Sequence, residues 1–155
     1  MRKVVGLQGA ETSHPTEPEW LDAARIASVE LTSEDSAFPI EPAFRNEPPG
    51  WRAGAPGQQR IRLIFDEPQD VRRIRLRFIE HETERTQEFT LLCESNGATR
   101  EILRQQWNFS PGGSNVEAED YRFDLHEVTA LELVIQPDIT FKRAMASLAE
   151  WRIAG

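Results

Sequence analysis

The sequence predicts an all-β fold, an eight-stranded antiparallel β-sandwich of the jelly-roll type. Apolar and polar residues alternate in short runs, which is the period of a half-buried strand. Turn-forming residues separate these runs, and no segment repeats its apolar residues at helical spacing for long enough to predict a long helix. Eight short strands within about 130 residues are typical of two packed sheets.

The predicted strands cover residues 26–32, 59–65, 71–80, 87–94, 99–107, 116–125, 131–136 and 148–153. Ile61, Leu63 and Phe65 share one face of the second strand, which the pattern predicts to be the buried face. Cys93 falls among the inward positions of the fourth strand, where a thiol serves as a small apolar filler. The Asn-Gly pair within 95–98 predicts a tight hairpin turn to the fifth strand.

The length of 155 residues fits one domain of ordinary size. Residues 1–24 are predicted to form an N-terminal arm, since the segment 8–20 carries no periodicity, and residues 25–155 the sandwich domain. The apolar stretch after residue 3 is too short for the core of a signal peptide. No run approaches the roughly 20 apolar residues of a membrane helix. These features predict a cytoplasmic protein with no membrane segment; its oligomeric state is left open.

The charge balance disfavours a nucleic-acid partner. The chain has 26 acidic residues against 18 Lys and Arg, a formal net charge of −8, whereas binding to a phosphate backbone depends on cations. The positive charge is nearly all arginine, and five arginines would share one outer face if the second and third strands pair. That face would bind an anionic ligand or acidic partner, or it would form cross-strand ion pairs. The five are Arg60, Arg62, Arg73, Arg75 and Arg77.

No arrangement in the sequence predicts an enzyme. The three histidines fall in the arm (His14), in a long loop (His81) and in a turn at the opposite end of the sandwich (His126), so they are not expected to share a site. There is no Gly-rich phosphate loop and no zinc-binding spacing. A pair of loop carboxylates, as glycosidases use, is the remaining catalytic alternative to simple solvated acids. The candidates are Glu80, Glu82, Glu84 and Asp138.

Four long connections are expected at one end of the sandwich. Successive antiparallel strands reverse direction, which places 33–57, 81–86, 108–115 and 137–147 together and the shorter connections 66–70, 95–98 and 126–130 at the other end. Binding residues usually lie on such loops. Aromatic faces with a few polar groups beside them are typical of small-molecule binding sites. The candidate ligand-binding residues are His81, Arg85, Trp107, Asn108, Phe109, Phe141, Lys142 and Arg143. The alternative for Trp107 and Phe109 is that they turn inward and cap the core.

Several segments resemble the galactose-binding-like domains, the superfamily of discoidin domains, coagulation-factor type C domains and family 32 carbohydrate-binding modules. They are Ala27-Ser28-Val29-Glu30-Leu31-Thr32, Pro39-Ile40-Glu41-Pro42-Ala43, Gly50-Trp51-Arg52-Ala53 and the closing Glu150-Trp151-Arg152-Ile153. The resemblance covers residues 25–154. It implies a non-catalytic, carbohydrate-binding sandwich with Trp51 and Trp151 in its core.

The resemblance also bears on a metal. The family's structural calcium uses an aspartate in an Asn-Ala-x-Asp-Gly element, where this chain has Pro42-Ala43-Phe44-Arg45-Asn46. With Arg45 at the aspartate position, no cofactor is predicted. If calcium does bind, Glu41, Asn46 and Glu47 would supply its ligands, because it prefers oxygen donors.

A narrower resemblance gives a second hypothesis. Ser33-Glu34-Asp35-Ser36, Trp51-Arg52-Ala53 and Phe109-Ser110-Pro111 resemble the amino-terminal domain of a scaffold protein of single-strand-break repair. This resemblance implies a protein-interaction domain, with a protein or nucleic-acid partner, that would use either the same loops or the arginine face.

Overall fold

The structure is a computed structural model that describes residues 19–155. It is all-β, as the alternation predicts. The described strands are β1 (Ala27–Leu31), β2 (Trp51–Arg52), β3 (Gln59–Ile79), β4 (Arg85–Ser95), β5 (Ala98–Phe109), β6 (Val116–Gln136), β7 (Ser147–Leu148) and β8 (Glu150–Ala154). A single helical turn, α1 (Ala23–Ile26), precedes them, and a 3₁₀ helix (Glu41–Arg45) lies in the first long loop.

All strand pairs are antiparallel. One large sheet has the order β1-β3-β6-β4-β5, and β8 also pairs with β3. The first half of β3 pairs with β1 on one side and with the second half of β6 on the other. The second half of β3 pairs with β8 and with the first half of β6. The two halves therefore belong to two layers. Phe78 of one layer packs on Phe89 of the other, with ring centres 5.3 Å apart.

Four predicted strands are in fact two long ones. Residues 59–65 and 71–80 were expected to flank a turn at 66–70, but β3 runs through that turn, with irregular pairing to β6 between Ile64 and Arg73. Residues 116–125 and 131–136 likewise form the continuous strand β6. Bulges bend a strand without ending its ladder, so polar residues that suggested turns mark the bends between the layers.

The predicted core residues are buried. Trp51 and Trp151 are almost completely inaccessible, as is Cys93. Trp51 donates its indole N–H to the backbone oxygen of Ser33 at 3.2 Å, which ties the first long loop to the core. Phe44 of the 3₁₀ helix packs 5.7 Å from Trp151. Burial also raises the pKa of the Cys93 thiol, as expected for a structural cysteine.

The predicted N-terminal arm is described only from residue 19. Trp20 pairs with Ala154, and the Leu21 N–H donates to Ile153 O at 2.8 Å, so these residues extend the layer of β8. The arm as far as residue 18, including His14, lies outside the described residues. Within 19–155, no helix has the length and apolar character needed to cross a membrane.

The five arginines predicted to share one outer face are divided between the two layers, because Arg60 and Arg62 lie in the first half of β3 and the other three in its second half. In both layers these arginines form ion pairs. Arg60 and Arg62 both contact Glu132, and Arg62 also contacts Glu94. Asp120 pairs with Arg73 at 2.7 Å and Arg75 at 3.2 Å. The guanidinium of Arg77 pairs with Glu150 at 3.3 Å. Of the two alternatives for this face, the structure therefore has cross-strand pairing, which stabilises neighbouring strands.

Candidate functional site

The four long loops lie together at one end of the sandwich. The short ladder between β2 and β7 joins the loop 33–57 to the loop 137–147, reinforced by a bond from the Ala53 N–H to Ala146 O at 3.0 Å. The N–H of Ile139 donates to Thr86 O at 2.9 Å, and that of Glu80 to Asn115 O at 2.9 Å. His126 lies at the bend of β6, beside Asp70 and Asp124, remote from His81.

A groove of about 470 Å³ opens between three of these loops, a volume in the range of small-ligand sites. Its lining includes His81 and Glu82 of the turn after β3, and Phe141 and Arg143 of the loop before β7. Arg52 of β2 also lines it. The remaining lining residues are Pro49, Ile79, Glu80, Thr83, Arg85, Ala144, Met145, Ala146, Ser147, Leu148 and Ala149.

Arg85 forms part of the floor of the groove and is 2% exposed. Its Nε donates to Glu80 Oε1 at 2.8 Å, and its Nη1 donates to Pro137 O at 2.8 Å and Gln87 Oε1 at 3.0 Å. Its Nη2 is buried and has no hydrogen-bond partner among the described residues. The ring of Phe109 lies 4.7 Å away. Arg85 therefore connects three loop ends, through its contacts with Glu80, Pro137 and Phe109.

Glu80 is fixed as an anion. Burial alone would raise the pKa of Glu80, but the hydrogen bond from Arg85, together with the N–H groups of Glu82 and Thr83, lowers it below its ordinary value. A catalytic acid of a glycosidase needs the opposite shift. Ser147, also in the groove, donates its hydroxyl to Ile79 O at 3.2 Å. This arrangement positions the loops and does not activate a nucleophile.

Below the floor, a carboxyl group is buried between the layers. Gln87 Nε2 donates to Glu117 Oε1 at 3.1 Å, and Glu117 is completely inaccessible. Burial, with the neighbouring Glu119, raises the pKa of Glu117 to about 8. Sequence reasoning missed it, although Glu117 has the same strand parity as Tyr121 and Leu125, which the alternation predicts to point inward.

Half of the predicted ligand-binding residues line the groove, namely His81, Arg85, Phe141 and Arg143. The other half lie elsewhere, namely Trp107, Asn108, Phe109 and Lys142. Asn108 is exposed and accepts a hydrogen bond from Thr86 Oγ1 at 3.0 Å. Lys142 is exposed, and its backbone oxygen lies against Gly57.

The two aromatic candidates on β5 do not line the groove. Phe109 is fully buried, and Trp107 packs partly buried against the core with its indole nitrogen inaccessible. Both lie on the inward face because Trp107 pairs with the buried Gln87 and Phe109 with the buried Arg85. The alternative reading, that they cap the core, is the one the structure adopts. The aromatic side chain at the groove is Phe141, which is 53% exposed.

Arg52 is a groove residue that the sequence reasoning did not select. Its guanidinium stacks 4.6 Å from the centre of the Phe38 ring and has no carboxylate partner among the described residues. The signal for it was present, because Arg52 follows Trp51 in a strand whose alternation must turn one of the two outward.

The candidate calcium ligands do not form an oxygen cage. Glu47 pairs with Arg45 at 3.0 Å, and the side-chain oxygen of Asn46 accepts a hydrogen bond from Arg77. Glu41 is exposed at the start of the 3₁₀ helix. Within residues 19–155, no group of three His, Cys, Asp or Glu side chains could hold a metal ion. Guanidinium groups thus contact the side-chain oxygen of Asn46 and one carboxylate oxygen of Glu47, and this arrangement does not fit a calcium ion.

The fold is that of galactose-binding-like domains. A family 32 carbohydrate-binding module from Clostridium perfringens NanJ, in complex with galactose, matches with a TM-score of 0.62 at 15% identity, over 86% of this chain and 96% of that one. The family 32 module of AlyQ, in complex with 4,5-unsaturated mannuronic acid, matches with a TM-score of 0.59 at 17% identity, over 83% and 94%.

The same fold occurs in the amino-terminal domain of the single-strand break repair protein XRCC1. It matches with a TM-score of 0.63 at 15% identity, over 90% of this chain and all of that one. No protein-family model and no curated protein sequence matches the chain. The likeness is therefore one of fold, as the sequence resemblance led us to expect.

Proposed function

We propose that the chain is a non-catalytic binding module that binds a carbohydrate in the groove between β2, the turn after β3 and the loop before β7. The observation that carries this proposal is the half-exposed ring of Phe141, which lines the groove together with His81 and Arg143. An exposed aromatic face stacks on the apolar side of a sugar ring, while imidazole and guanidinium groups bond its hydroxyls.

The likeness of fold supports the class of ligand. The solved neighbours include modules in complex with galactose and with 4,5-unsaturated mannuronic acid. The floor of the groove supports a non-catalytic role, because the ion pair with Arg85 and two backbone N–H groups hold the pKa of Glu80 below its ordinary value.

The experiment is a glycan-array screen of the full chain, carried out with calcium and with chelator. We expect binding that is insensitive to the chelator and that falls at least tenfold in Phe141→Ala. Ile139→Ala is the matched control, since Ile139 is an exposed apolar residue of the same loop that does not line the groove. Equal binding by both variants would refute the location of the site, and absence of binding across the array would refute the function.

A second candidate function has its own observation. Ile139, Phe141 and Met145 are all exposed apolar side chains of one loop, and such clusters mark protein-interaction surfaces. A protein partner would contact all three residues, so both Phe141→Ala and Ile139→Ala would weaken its binding.

A further inference from the structure

The groove is positively charged in a chain of net charge −8. Its lining includes three arginines, Arg52, Arg85 and Arg143, against two glutamates, Glu80 and Glu82. Arg85 and Glu80 neutralise each other through their 2.8 Å ion pair. The charges that remain for a ligand are those of Arg52 and Arg143, opposed by Glu82 alone.

Arginines without a carboxylate partner are uncommon in the rest of the described chain. Eleven of the arginines in residues 19–155 form a carboxylate ion pair, and four do not. Two of those four, Arg52 and Arg143, line the groove. The other two, Arg100 and Arg122, are exposed on β5 and β6 outside it.

The side chain of Arg52 packs on an aromatic ring instead of pairing with a carboxylate. Its guanidinium carbon lies over the Phe38 ring, 4.6 Å from the ring centre, and its N–H groups have no carboxylate partner among the described residues. A planar guanidinium fork matches a carboxylate in two parallel hydrogen bonds. A neutral hydroxyl can also accept a hydrogen bond from this group, but its single oxygen does not match the fork with two parallel bonds and it carries no charge to pair with the guanidinium.

We propose that the ligand of the groove is an acidic sugar whose ring carboxylate is bound by Arg52 and Arg143 while its apolar face stacks on Phe141. This inference rests on the proposed function and narrows it to carboxylate-bearing sugars. Glu82 is the one uncompensated acid in the lining, and its repulsion of the carboxylate limits affinity.

The test uses matched ligands. Oligosaccharides of galacturonate, glucuronate and mannuronate are titrated calorimetrically into the full chain, each beside the same oligosaccharide with its carboxyl groups reduced to alcohols. We expect at least one acidic ligand to bind at least tenfold more tightly than its reduced counterpart, since a charge-assisted bond contributes more than a neutral one. The affinity should also fall as salt is added, because the two arginines are exposed.

Variants then locate the carboxylate. Arg52→Gln and Arg143→Gln should each lower the affinity for the acidic ligand about tenfold, an order of magnitude typical of a charged hydrogen bond, and Glu82→Gln should raise it. Arg122→Gln removes an equally exposed charge outside the groove and should leave it unchanged. Thermal melts check that all four variants are folded.

The outcomes separate the two proposals. If reduced or other neutral sugars bind as tightly as the acidic ones, or if Arg122→Gln matches the groove variants, the acidic ligand is refuted while carbohydrate binding stands. If no sugar of either kind binds, both proposals are refuted.

Discussion

The guanidinium carbon of Arg85 lies 4.7 Å from the centre of the Phe109 ring, and both residues are almost completely buried. This contact joins the end of β5 to the floor of the groove. Because the ring faces Arg85, it is unavailable to a ligand, and the aromatic surface of the groove is left to Phe141. Phe109 and Phe141 are both candidate ligand-binding residues in the sequence, but this contact places Phe109 in the core and leaves Phe141 at the groove.

We therefore expect Phe109→Ala to lower the stability of the fold and Phe141→Ala to lower ligand binding with little effect on stability. Removing a fully buried ring costs about 3–5 kcal/mol of unfolding free energy, whereas truncating an exposed side chain usually changes it by less than about 0.5 kcal/mol. Urea unfolding measures both. A Phe109→Ala variant as stable as the parent would show that the ring is not part of the core.

The sequence does not show which way Trp107 and Phe109 point, for a physical reason. Strand alternation gives the parity of a residue but not which parity faces inward unless apolar residues mark it. In 99–107 the inward positions include Gln105 as well as Trp107, and the outward ones carry Arg104 and Gln106, so little in the composition distinguishes the faces. The apolar residues of 59–65 identify the inward face clearly, and there the prediction is confirmed.

The sequence identified groove residues best in the long loops, where strand parity does not determine which way a side chain points. Phe141 and Arg143 lie in a loop, so strand parity did not matter, and both line the groove. Arg85 was expected to contact a ligand directly, but Glu80 and the Pro137 carbonyl, which are distant from one another along the chain, hold most of its donors. Such three-dimensional pairing cannot be deduced from spacing.

The buried Glu117 carboxyl should make the protein less stable as pH rises. Its pKa is about 8 in the folded protein, above the ordinary value near 4.3 for an exposed glutamate. The folded state therefore holds a proton that the unfolded state has lost between these two values, and stability falls through that range. The slope is at most about 1.4 kcal/mol per pH unit.

Glu117→Gln is the test, because it keeps the shape and an oxygen for Gln87 while removing the titration. Urea unfolding at pH 5, 6, 7 and 8 should show the fall in the parent and a flatter profile in the variant. A variant that keeps the slope of the parent would assign the pH dependence to another group.

Glu150 should contribute far more stability than an exposed member of a similar ion pair. Its side chain is 3% exposed and lies within 4.0 Å of Arg75, Arg77 and Arg152. Breaking such a buried cluster costs about 3 kcal/mol or more, so Glu150→Gln should shift the urea midpoint strongly. Glu101→Gln breaks the exposed pair with Arg104 and should leave the midpoint unchanged. Similar shifts in the two variants would contradict this distinction.

Two glycines with the same backbone angle should respond differently to alanine. Gly50 and Gly97 both have φ of +78°, a conformation that costs an alanine about 1–2 kcal/mol. A Cβ on Gly97 meets no atom within 4 Å, but one on Gly50 lies 2.7 Å from Leu148 O and 3.0 Å from Ala149 Cα.

Gly50→Ala must therefore also displace the backbone of β7, for a total of about 3 kcal/mol or more. Leu148 and Ala149 line the groove, so this displacement should weaken ligand binding as well as stability. Gly97→Ala, at the hairpin between β4 and β5, should lose only the conformational cost and retain full binding. Urea unfolding and calorimetric titration of the two variants measure the difference. Equal losses of stability would mean that conformational strain alone, without the contact to β7, determines the cost at Gly50.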